Sequence, residues 1–170
     1  MSARIFTPNI KVEHVISFSD AVFAFAITLM ALTIDIPELP LNLSQSELHK
    51  LDDIYPQFED YIISFAVIAM FWVSYHQVFN HIKGSHISMV YLNLLFLLLI
   101  TLLSLATSFV TNYASYQIPY IIYCILVIMT SSLLMLIWWY ATRDHRLVDK
   151  GMHPLFIKGT LPSLAFYLYP

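Results

Sequence analysis

Long apolar runs separated by short polar breaks dominate this chain. A helix needs roughly 20 apolar residues to cross the hydrocarbon of a bilayer. Runs near that length fall at 15–36, 61–79, 89–112 and 120–142, and a shorter one falls at 154–170. Each break has a physical reason. Pro37 and Pro40 follow the first run, and neither can continue a helical hydrogen-bond ladder. A polar stretch at 38–60 comes next, then a polar turn at 80–88 around Gly84. A tight connection at 113–119 and a charged loop at 143–150 separate the remaining runs. The pattern predicts an all-α fold, a polytopic transmembrane helix bundle with five visible apolar segments. The last segment contains Gly159 and Pro162 and reaches the end of the chain without a polar tail. That predicts a sequence truncated at its C-terminus, short of a full fifth helix.

Composition strengthens this reading. The 170 residues are 59% hydrophobic and 11% charged, whereas soluble domains carry about 25% charged residues. The apolar surplus exceeds what a core of this size encloses, so it must face lipid. Cys124 is the single cysteine and lies inside an apolar run, so no disulfide within the chain is possible. No cleaved signal peptide is expected, because the first run is long and lacks a small-residue cleavage site. Lysine and arginine give the orientation. With the N-terminus cytoplasmic, Arg4, Lys11, Lys83, Arg143, Arg146, Lys150 and Lys158 lie inside and only Lys50 lies outside. The outer stretch then holds Glu38, Glu47, Asp52, Asp53, Glu59 and Asp60. Tyr61, Tyr75, Tyr91, Tyr113, Tyr120, Trp138, Trp139 and Tyr140 near run ends predict interfacial belts.

On a wheel of 100° per residue, the first helix divides into two strips. Phe18, Val22, Phe25, Leu29, Leu32 and Ile36 form a stripe of large apolar side chains within about 80°. Beside it lie Ser17, Asp20, Ala24, Thr28, Ala31 and Asp35, all small or polar. Taken alone, the stripe fits ordinary lipid contact or helix packing best, and it is also compatible with a hydrophobic constriction that gates a pore by dewetting. Asp20 fits a structural hydrogen bond or cap near the helix start, since a charge within a span needs a partner. His76, His81 and His86 stand five residues apart, a spacing that sends them to different helix faces. The sequence shows no nucleophile elbow, phosphate loop, paired catalytic carboxylates or basic nucleic-acid patch. Neither an enzyme nor a metal site is expected.

Phe18-Ser19-Asp20, followed by Ala21-Val22-Phe23-Ala24 and Ile27-Thr28-Leu29, resembles the first-helix signature of the transmembrane protein 175 family. These are the lysosomal-type and bacterial potassium channels. Ser64-Phe65, Trp72 and His76 resemble the family's second-helix pattern. Asn93-Leu94-Leu95-Phe96-Leu97 and Thr107 resemble its third helix. The resemblance implies six helices per complete subunit, a homotetramer in a bacterial-type plasma membrane, and first helices lining the pore. By position it implies a constriction at Phe25, Leu29 and Leu32 and a selectivity layer at Thr28. It also implies a cluster of His14, Phe18, Ser19 and Asp20 that orients the first helix. The permeant potassium ion is the implied ligand, with no cofactor. His14 stands where the family usually has arginine, which makes a link to Asp20 dependent on the histidine's protonation. Ser104 stands where a proline is expected. A proton-coupled transporter using Asp20 and His14, or a non-conducting membrane scaffold, are the competing readings.

Overall fold

The computed structural model describes residues 10–32, 34, 54–84, 86–143 and 147–148. Among them run four helices: α1 Val12–Ala31, α2 Ile54–Phe79, α3 Ile87–Asn112 and α4 Gln117–Thr142. Each is long and apolar enough to cross a membrane. The predicted segment at 154–170 lies outside the described residues, as do Asp52, Asp53 and residues 144–146 and 149–150 of the charged loop.

The helix ends differ from the predicted ones for local reasons. α1 stops at Ala31, five residues short of 36, with the Leu32 N–H donating to the carbonyls of Leu29 and Met30. α2 begins at Ile54 rather than 61. Its Pro56 sits in the first turn, where a missing N–H costs nothing because that N–H has no helical partner. Glu59 and Asp60 are therefore helical, in the second turn of α2. Pro119 plays the same part at the start of α4. The His86 ring starts α3 by accepting a hydrogen bond from the Ser88 N–H.

α3 is the central helix and packs against the other three, while α1 and α4 do not meet. Phe23, Phe71, Tyr75 and Phe96 pack where α1, α2 and α3 meet, with the Tyr75 and Phe96 rings stacked at 5.7 Å. Tyr75 and Trp138, expected at the interfacial belts, are fully buried. Trp138 instead sits against the edge of His81. At the end of the bundle holding the α2–α3 turn, the N–H groups of Lys83 and Gly84 both donate to the Leu147 carbonyl. That contact straps the chain beyond α4 onto the turn.

Candidate permeation surface and its anchor

α1 presents two opposed faces. Val12, Val15, Ser19, Phe23, Ala26 and Met30 are buried against the bundle. The predicted apolar stripe lies outside that arc. Phe25 is 63% exposed, Leu29 44% and Leu32 79%, so the described residues leave much of each uncovered. Val22 is the partial exception, being half-buried against the core. Ala24, Thr28 and Ala31 share the open face. At 1.5 Å per residue, Phe25, Leu29 and Leu32 mark levels spread over about 10 Å along the axis. The Thr28 hydroxyl donates back to the Ala24 and Phe25 carbonyls, both at 3.0 Å. Its proton is thereby occupied, and the oxygen faces outward as an acceptor.

The buried face is held by one hydroxyl. Ser19 Oγ donates to the Val15 carbonyl at 2.8 Å. It accepts from the Tyr75 hydroxyl at 2.8 Å and from the Asn93 amide nitrogen at 3.0 Å. One donor and two acceptors exhaust what a serine hydroxyl offers, so a single atom ties α1, α2 and α3. Further along, Ser104 Oγ donates to the Ala26 carbonyl at 2.9 Å. The departure from the family's proline thus gives α3 a second bond to α1. Asn93 Oδ1 is buried with no hydrogen-bond partner among the described residues.

Asp20 lies beside this node, partly exposed. Trp72 Nε1 donates to its carboxylate at 2.8 Å, and His76 Nε2 stands 3.4 Å from the same oxygen. The Trp72 and His76 rings pack at 4.4 Å. The expected His14–Asp20 link is absent. Six residues apart on a helix means about 240° of rotation, which points the two side chains in different directions. Of the four residues expected to cluster, Ser19 and Asp20 bond to separate sets of partners, while His14 and Phe18 are exposed. The partners come from Trp72, Tyr75, His76 and Asn93 instead. Tyr75 and Asn93 gave one available signal, as polar groups set in apolar runs that need a partner. Replacing Trp72 with Phe is expected to cost about 1 kcal/mol, a charged hydrogen bond discounted for exposure. The shift in the midpoint of an SDS unfolding titration measures it.

Comparison with known proteins places this geometry. The family model for the endosomal/lysosomal potassium channel TMEM175 matches residues 14–104, just over half of the chain. A potassium channel of Streptomyces collinus is 31% identical over 139 residues, covering 78% of this chain and 66% of its own length. The mouse endosomal/lysosomal proton channel TMEM175 is 34% identical over 100 residues, covering 55% of this chain and 20% of its own. A crystal structure of a lysosomal potassium-selective channel TMEM175 homologue from Chamaesiphon minutus shares the fold. Its TM-score is 0.78 at 23% identity, covering 92% of this chain and 82% of that one. The chain spans two thirds or less of the length of these curated relatives. It carries the first-helix signature, the four apolar helices and the family match together, and so this multi-pass membrane protein belongs to the TMEM175 family of ion channels, not to a family of enzymes.

Proposed function

We propose that this chain is a subunit of a potassium-selective channel, four copies of which surround a pore lined by α1. One observation carries the reading: the open face of α1 places large apolar side chains and Thr28 outside the subunit's own packing. A closed ring of identical subunits brings that face together around one axis. Phe25, Leu29 and Leu32 then form successive apolar rings that gate by dewetting, and Thr28 supplies a layer of acceptor oxygens for a dehydrated cation. The bacterial relatives named potassium channels support the choice of ion. Charge supports an N-terminus on the cytoplasmic side of a bacterial plasma membrane. Lys11, Lys83 and Arg143 flank the ends of the helices at one side of the bundle, and Glu59 and Asp60 lie toward the other.

Planar-bilayer recording of the purified chain in a potassium-to-sodium gradient tests the proposal. Stepwise unitary currents with a potassium-side reversal potential are expected. Thr28→Ala is expected to move the permeability ratio toward unity. Absence of unitary currents, or a ratio untouched by Thr28→Ala, sinks the assignment. A second reading, proton passage, draws on the partly exposed Asp20–His76 pair beside α1 and on the mammalian relatives named proton channels. In that case the reversal potential follows the pH gradient instead of the potassium gradient.

A further inference from the structure

At the bundle end opposite the α2–α3 turn, a cavity of about 140 Å³ opens between α2, α3 and α4. Asp60, Ile63, Ser64, Val110, Tyr120 and Tyr123 line it, and its walls are mostly hydrocarbon. Asp60 accepts one long hydrogen bond, from Thr111 at 3.4 Å, and no cation pairs with it among the described residues. The Tyr123 hydroxyl is buried with Ser64 as its one neighbouring polar side chain, and among the described residues it completes no hydrogen bond within 3.5 Å. One carboxylate and one orphan hydroxyl thus share an apolar cavity with two phenol rings.

These groups discriminate between ligands. An anion meets the Asp60 carboxylate. Magnesium and calcium need six or more oxygens, and the walls offer few. A neutral hydrocarbon leaves both Asp60 and Tyr123 unmatched. An organic ammonium satisfies each element: charge for Asp60, an N–H for the Tyr123 oxygen, aromatic rings that attract cations, and Ile63 and Val110 for an apolar body. The size suits one ring, since a cavity of about 150 Å³ holds benzene. Asp60 lies six residues inside the end of α2, about 9 Å along its axis. That depth is near the border of headgroups and hydrocarbon, where an amphiphilic amine settles with its charge outward.

We propose that this cavity binds a small organic ammonium with an apolar body, at a site separate from the open face of α1. The site does not depend on what permeates the protein. Benzylamine binding to the full chain in nanodiscs, read by calorimetry against empty nanodiscs, tests it. A saturable isotherm is expected, with Asp60→Asn weakening affinity about tenfold, the loss of one charged hydrogen bond. Benzyl alcohol, of the same shape without the charge, is expected to bind at least about tenfold more weakly for the same reason. Tyr123→Phe is expected to weaken benzylamine by a smaller factor. It and the alcohol comparison decide the matter should Asp60→Asn fail to fold. Equal binding of amine and alcohol overturns the proposal, as does benzylamine affinity unchanged in both variants. Binding lost in Phe25→Ala but kept in Asp60→Asn also overturns it, by placing the amine in the pore.

Discussion

Phe25→Ala is expected to raise unitary potassium conductance severalfold while leaving the fold intact. Phe25 is 63% exposed and is not part of the buried core of the described residues. Surface substitutions of this kind change stability by about 0.5 kcal/mol or less. Conduction is another matter if four such rings meet on one axis. An apolar constriction passes ions only when it wets, and bulk and hydrophobicity set that threshold. Alanine widens the ring and lowers the cost of filling it with water. Phe25→Trp is the companion, expected to reduce conductance by narrowing the same level. Bilayer recordings of the three proteins decide. Conductances that coincide would falsify the constriction at Phe25 and move the narrow point elsewhere along α1.

Ser19→Ala is expected to destabilise the subunit by about 2 kcal/mol, because one deletion leaves two buried donors unmatched. The Tyr75 hydroxyl and the Asn93 amide both donate to the lost oxygen. In lipid, individual interhelical hydrogen bonds contribute only about 0.6 kcal/mol on average. Desolvated orphans add to that, which is why the estimate exceeds the sum of two bonds. Tyr75→Phe removes a donor together with its need and is expected to cost less. The two changes combined are expected to fall short of additivity, as befits groups in contact. SDS unfolding midpoints for the two single variants and the double variant supply the cycle. Strict additivity would mean that the hydroxyl does not couple α1 to α2.

Much of this architecture was legible from the pattern of apolar runs. Four spans could be read because lipid demands long uninterrupted apolar helices, and such runs are hard to mistake. The ends were harder. The stretch from Ile54 to Asp60 reads as loop because it continues a polar stretch, but a proline in a first turn is compatible with helix. The stripe of Phe25, Leu29 and Leu32 was visible on a wheel, since which residues share a helix face follows from angle alone, whereas its exposure depends on how α1 packs. The partners of Asp20 were not. The family resemblance suggested His14, whereas the carboxylate reaches Trp72 and His76, 52 and 56 positions away, only after α2 has packed on α1. Ser104 was marked as a departure, but its bond to the Ala26 carbonyl depends on where α3 crosses α1.

The two attachments of α1 to its neighbours have a mechanical consequence. The Ser19 hydroxyl and the Ala26 carbonyl clamp the same side of the helix at two heights, about 10 Å apart along its axis. A beam clamped twice on one side resists twisting. Spinning α1 about its own axis would tear the bonds to Tyr75, Asn93 and Ser104 together. Tilting α1 and α3 as one body breaks none of the bonds from Asn93 or Ser104. Swinging Phe25 and Leu29 therefore requires α1 to carry α3 with it or to break these bonds, and α3 is held in turn by its packing on α2 and α4.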